Sequence, residues 1–431
     1  TFLLALTFLF LFSGSVYGDD LQGGWSAYER KDYKTAHKLL LPLAEQGDAD
    51  AQFNLGLMYQ KGHGVPQDHK EAVKWYRLAA EQGFIFAQFN LGQIYQNGTV
   101  VPQDYREAVK WFRPSAEQGY AKAQHNLGWM YAEGHGVSQD HKEAVKWFRL
   151  AADQGFAGAQ YSLGMMYQVG LGVPQDYKEA IKWNRLAAGK GIADAQRNLG
   201  WMYAEGHGVP QDYKEAVKWY RLATEQGHAV AQFNLGGLYV LSTGVSQDYQ
   251  EASKWYRLSA EQGYVDAQVG LGLMYSEGKG VPQDHKEAVK WFRLAAEQGN
   301  AIAQYNLGMM YANGDGVPQD YKETVKWFQL AAEQGIAQAQ YNLGVGYLQG
   351  QVVAQDYKEA IKWNRLAAEQ GYAQDQFNMG AWYEYGIGVD QDLLLAHMWY
   401  NLAGSNGHKD GPKYKNILEK KMTPQQIEKA Q

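Results

Sequence analysis

Eleven histidines and a recurring aspartate are the residues of this chain with the most chemistry to offer. Imidazole can ligate a metal or move protons near neutral pH, and a carboxylate can assist it. Six histidines fall on two repeating places: His63, His135 and His207 on one, His69, His141 and His285 on the other. At the second place other copies carry Tyr, which does not replace imidazole on zinc. His37, His125, His228, His397 and His408 are scattered. The aspartate recurs as Asp68, Asp104, Asp140, Asp176, Asp212, Asp248, Asp284, Asp320, Asp356 and Asp392. An active site needs one asymmetric constellation, and ten equivalent carboxylates do not make one. Asp68 stands at a helix start with Glu71 three residues on, the pattern of a capping box. As a cap it contributes about 1 kcal/mol. HExxH, GxSxG, GxxxxGK[ST] and a GxGxxG before a helix are all missing from the sequence. The glycine-rich EGHGV and EGKGV segments join two helices and carry no paired lysine, so they read as turns. No catalytic residue, metal site or cofactor is assigned, and the chain reads as a non-enzyme.

The elements that hold these residues repeat. AQFNLGLMYQKGHGVPQDHKEAVKWYRLAAEQG, from Ala51 to Gly83, starts again at Ala87, Ala123, Ala159, Ala195, Ala231, Ala267, Ala303 and Ala339, and more loosely at Asp375. These are copies one to ten, 51–86 through 375–410, each 36 residues long. A fixed period of this length is the signature of a stacked solenoid. Within copy one, Ala51, Leu55, Met58 and Tyr59 share a helical face, which predicts a helix over 51–60 ended by Gly62. A second helix over 68–82 places Ala72, Trp75, Tyr76 and Ala79 on one stripe, with Lys70, Lys74 and Arg77 towards solvent. The Trp recurs as Trp75, Trp111, Trp147, Trp183, Trp219, Trp255, Trp291, Trp327, Trp363 and Trp399, and is assigned to core packing. Pro42 and Pro114 are expected to kink the last turn of their helices. Copy six reads YVLSTGV where others read YxxGxGV, so an irregular loop is expected there.

Composition and the chain ends bound the rest. At 45% hydrophobic and 14% aromatic the chain has ample material for burial. Net charge is −6 with acids and bases interleaved, so no basic stripe for nucleic acid is present. With no cysteine, packing alone must hold the array. The first residues, TFLLALTFLFLF and then SGSVYG, resemble a secretory signal peptide over 1–18, cut near Gly18. That apolar run is too short to cross a bilayer as a helix. No stable membrane insertion is expected, and without a lipid-bearing cysteine the location expected is periplasmic or secreted. Residues 19–50 align as a second half-unit lacking its first helix, an N-terminal cap. Residues 411–431 form a C-terminal cap, with a final helix starting at Thr423-Pro424.

The pattern Ala-x-x-x-Leu-Gly-x-x-Tyr-x-x-Gly, followed by Asp-Tyr-Lys-Glu-Ala-x-x-Trp-x-x-x-Ala-Ala-x-x-Gly, resembles the Sel1-like repeat, a relative of the tetratricopeptide repeat. Ala51, Leu55, Gly56, Tyr59, Gly62, Ala72, Trp75, Ala79, Ala80 and Gly83 carry the match in copy one. The resemblance implies an all-α fold: a right-handed αα-superhelical solenoid acting as a monomeric adaptor for a protein or peptide partner. A cysteine-rich branch with a disulfide in each repeat is linked to penicillin binding. This chain lacks those cysteines, so that link is not carried over. The runner-up function is a cell-wall-related enzyme or a peptidoglycan binder.

In relatives of this fold the first helices line the concave surface. The third and seventh places of each copy would then form a groove: Phe53 and Leu57, Phe89 and Gln93, His125 and Trp129, Tyr161 and Met165, Arg197 and Trp201, Phe233 and Gly237, Tyr305 and Met309, Tyr341 and Val345. Aromatic residues, Met and Arg are enriched in interfaces. The third-place rings either bind or bridge adjacent helices. Asn54 and its equivalents are expected to meet the backbone of an extended peptide.

Overall fold

The computed structural model describes residues 17–350 and 354–430. Most of the leader, including the whole apolar run, lies outside the described residues. Those residues contain 24 helices and no strand, joined in order as hairpins. The chain divides into two compact units, 1–212 and 213–431, the division falling between the two helices of copy five. Within each unit the repeat helices pack each on the one before and the one after it, so each is a stacked αα array.

Copy one shows why the hairpin forms. Its first helix, α3 (Ala49–Lys61), ends at Gly62 in the left-handed region (φ 70°), where glycine has no Cβ to clash. Its second helix, α4 (His69–Glu81), starts on Asp68, whose Oδ1 accepts from the amides of Lys70 and Glu71 at 2.9 and 3.0 Å. Only half of the capping box forms. The Asp68 amide already donates to Tyr59 O at 3.0 Å, and Glu71 turns to Lys74 at 2.9 Å.

The helices meet across a glycine. A Cβ on Gly56 would fall 2.6 Å from the Tyr76 ring, and one on Gly128 2.7 Å from Phe148. Glycine mid-helix is unfavourable by about 1 kcal/mol, and this close approach offsets it. The deepest aromatic is therefore the residue after the Trp: Tyr76 and Phe112 are fully buried, and Phe292 nearly so. Trp75 instead packs outward between hairpins, against Ala36, Leu40, Leu55 and Met58. Seven of the ten tryptophans are buried, while Trp111, Trp219 and Trp255 are only partly so.

Two expectations are corrected, for the N-terminal segment and for the loop of copy six. The N-terminal segment is a whole hairpin: α1 (Tyr17–Glu29) packs on α2 (Tyr33–Glu45). Its connection has three residues where copy one has seven, which breaks the 36-residue phase and hides the helix. Gly24 lies 2.8 Å, by its Cβ position, from Leu40, the contact that Gly56 makes elsewhere. Copy six keeps a regular loop, because Ser242 itself takes the left-handed cap conformation (φ 58°) and Gly244 follows at φ 74°. Arg77 is exposed as expected, and its Nη2 also donates to Tyr95 Oη of the next copy at 2.5 Å. Equivalent arginines do the same from Arg113 to Tyr131 and Arg293 to Tyr311. Asn54 donates to Asp50 O of its own helix at 2.9 Å, and Asn306 to Ile302 O, so each of these amides already has one backbone partner. Pro42 and Pro114 lie inside helices of the usual 13 residues, so neither shortens its helix.

At the C-terminus two helices, Gly411–Glu419 and Pro424–Ala430, cover the last hairpin. Thr423 and Gln426 exchange capping hydrogen bonds at 2.8 and 3.3 Å. Leu418 and Met422 bury themselves against Met379, Trp399 and Tyr400.

Candidate functional site

The first helices present the third and seventh places on one side, and the structure treats the two differently. The third-place rings spend their faces on neighbours. Phe53 lies 5.7 Å from Tyr76 and 5.0 Å from Phe84, the cap residue of the following first helix. Phe89 repeats this with Phe112 and Tyr120, Phe233 with Tyr256 and Tyr264, and Tyr305 meets Phe328. Tyr341 meets Tyr372 at 5.4 Å. His125 lies between Phe148 and Phe156 and reaches Ser162 Oγ at 3.2 Å; burial pushes its pKa down. Tyr161 is half-buried, and burial raises its hydroxyl pKa. Arg197 is half-buried as well. The third-place rings Phe53, Phe89 and Phe233 thus pack on the second helix of their own hairpin and on the residue that caps the next first helix.

The seventh place stays half-exposed at Leu57, Gln93, Trp129, Met165, Trp201, Gly237, Met309, Val345 and Ala381, and is exposed at Leu273. No two consecutive copies carry the same residue there. Trp129 stacks on His135 at 4.9 Å, and His135 on Tyr105 of the preceding copy at 4.4 Å. Trp201, His207 and Tyr177 repeat the trio two copies on. His63 stacks on Tyr33 at 4.1 Å and reaches Tyr28 Oη at 3.0 Å. The loop histidines are thus layered between rings of adjacent copies. Among the described residues no group of three His, Asp or Glu could hold a metal.

Several working residues escape a reading of the sequence alone. Buried Gln52 donates to Ala44 O of the preceding hairpin at 3.0 Å and accepts from Gln82 of its own at 2.8 Å. The staple recurs through Gln88, Gln124, Gln268, Gln304, Gln340 and Gln376. Its signal was the Ala-Gln pair opening nine of the ten first helices together with the Glu-Gln-Gly that closes most of the second ones. Copy ten departs most. Asp375, fully buried, stands where the other copies have Ala, and neither of its oxygens has a partner. Glu384, 3% exposed, accepts from Tyr400 Oη at 2.9 Å and Lys421 Nζ at 2.7 Å. His397 reaches Glu419 at 2.9 Å, tying the last hairpin to the capping helix.

Comparison with known proteins agrees with this architecture. A family model described as Sel1 repeat matches eleven consecutive segments, from 21–48 and 49–84 to 373–408. The first of them is the N-terminal hairpin with the short loop. Among solved structures, a protective antigen present in uropathogenic Escherichia coli strains, displaying an SLR fold, is 38% identical. The match covers 91% of this chain and 92% of that one, at a TM-score of 0.62. A Sel1 repeat protein from Oxalobacter formigenes is 36% identical over 76% of this chain and 93% of its own, at a TM-score of 0.57. No curated protein matches the chain. With eleven matched units laid out as stacked helical hairpins, the chain belongs to the Sel1 repeat family, whose solenoids are generally non-catalytic scaffolds for protein interactions.

Proposed function

We propose that this protein is a non-catalytic scaffold, exported to the bacterial envelope or beyond it, that holds a protein or peptide along the seventh-place face of its first helices. One observation carries the reading. The repeat's shared residues are buried in the hairpins, while the seventh place changes from copy to copy and stays half-exposed. A residue that varies on an otherwise constant frame is free to encode a partner, and Trp and Met are favoured anchors. Export is supported by the apolar leader and by likeness to the Escherichia coli protective antigen, a description that suits a molecule met from outside the cell.

The test is Trp129→Ala combined with Trp201→Ala. A partner captured from an envelope extract by the parent protein is expected to be lost by the double variant, with the helical melt still cooperative. Equal capture by both proteins sinks the groove. Recovery of the chain from the cytosol with residues 1–18 uncut sinks export.

A further inference from the structure

The eighth place of the first helix is core in almost every copy. Met58, Ile94, Met130, Met166, Met202, Leu238, Met274, Met310 and Trp382 occupy it, each 8% exposed or less. Copy nine alone has no side chain there: the residue is Gly346. In copy four Met166 fills a nest made by Val145, Phe148 and Leu163. The residues at the same places around Gly346 are Val325, Phe328 and Leu343, and they border a cavity of about 190 Å³ instead. Met309 and Val345 form part of its wall, and exposed Tyr321 and Gln349 stand at its mouth.

Water against a mostly apolar wall of this kind is released favourably when an apolar group takes its place, so the cavity favours apolar matter. An apolar cavity of about 150 Å³ is already large enough to admit benzene. Here the missing atoms are known. The same nest elsewhere in the chain closes on a methionine, so its walls complement an unbranched thioether. Met309 on the rim adds a polarisable sulfur that suits such a guest.

We infer that the Gly346 cavity is a binding site for one uncharged apolar group the size of a methionine side chain, supplied by a docking polypeptide. The side-chain source rests on the scaffold reading above; the cavity's taste for apolar groups does not, and each half can fail alone.

The probe is ethyl methyl sulfide, the methionine side chain as a free molecule, followed through the methyl resonance of Met309 in the full chain labelled at methionine methyls. A saturable shift is expected, weakened at least tenfold in Gly346→Met, which restores the residue found in most copies. An independent reading is the melting midpoint, which the sulfide raises in the parent and leaves unmoved in Gly346→Met. No saturable shift in the parent, or an equal shift in the variant, overturns the site. A short blocked peptide with a central Met is expected to displace the sulfide, and the same peptide with Ser is not. Sulfide binding without displacement by the Met peptide overturns the polypeptide source and leaves a small-molecule site.

Discussion

Asp375 is a carboxylate in a place that nine other copies give to alanine. Fully buried and without a hydrogen-bond partner, it is held mostly protonated, its pKa pushed up to about 7 by loss of solvent. The sign follows from linkage. The folded state keeps a proton that the unfolded chain releases near pH 4, so the folded state is favoured most below pH 4. That advantage is lost as pH rises towards 7. At 1.36 kcal/mol per unit the swing is on the order of 3–4 kcal/mol. Asp375→Ala is therefore expected to be the more stable protein at pH 8, with a smaller fall in urea midpoint between pH 5 and 8. Parallel pH profiles for variant and parent would refute the assignment. No sequence pattern flags this residue as buried; only the 36-residue phase shows that it stands on an alanine place.

At the scale of the element, the loops are governed by two glycines with distinct tasks. The first caps the helix, and the second leans on the preceding copy: a Cβ on Gly208 would fall 2.7 Å from the carbonyl carbon of Tyr177. Ser242 shows that the first task survives replacement at a cost. A non-glycine residue in the left-handed region is disfavoured by about 1–2 kcal/mol. Ser242→Gly is expected to raise the unfolding free energy by about 1 kcal/mol, read from denaturant titration. A decrease would mean that the serine side chain contributes more than its backbone costs. This loop also marks what was legible in advance. Both helices of copy one and their caps follow from alanine spacing, glycine and aspartate, because those effects are local. The staple of Gln52 was illegible, since a polar residue inside a helix pattern ordinarily reads as surface and its partners lie one hairpin away. The N-terminal hairpin was illegible for another reason: its loop departs from the only period available for alignment. Of the candidate face, the recurring aromatic residues were visible and bridging was one of two readings, but the sequence alone could not choose between them, because the deciding contacts are made with another helix.

At the scale of the whole molecule, an array of units that each bury a face on a neighbour must close its last face. The C-terminal helices do this with Leu418, Met422 and Tyr414 over Tyr400, and two polar links hold them. Glu384 takes the place of Gln60, and the charge it brings is met by Lys421, which is half exposed. Removing one partner leaves the buried carboxylate uncompensated, so Lys421→Ala is expected to loosen the capping helices. Limited proteolysis should then cut sooner between the last hairpin and the capping helices. Adding Glu384→Gln should restore resistance, because glutamine accepts from the tyrosine without a buried charge, as Gln60 does from Tyr76 at 2.7 Å. Failure of the second substitution to rescue would show that Lys421 acts otherwise than through Glu384.

The glutamine staple carries a consequence for how such a chain comes into being. The staple reads backward to a backbone carbonyl of the previous hairpin and, in most copies, inward to a glutamine of its own, a part that Asn406 plays in copy ten. Any hairpin is therefore an acceptable predecessor of any other. An in-frame crossover within the gene that gains or drops 36 residues makes no new junction, since both sides of the splice already hold the required donors and acceptors. The identical blocks NLGWMYAEGHGV at Asn126 and Asn198 are the trace such exchange leaves. Length in this lineage is thus cheap to change, and selection can lengthen or trim the face one hairpin at a time without relearning how to fold.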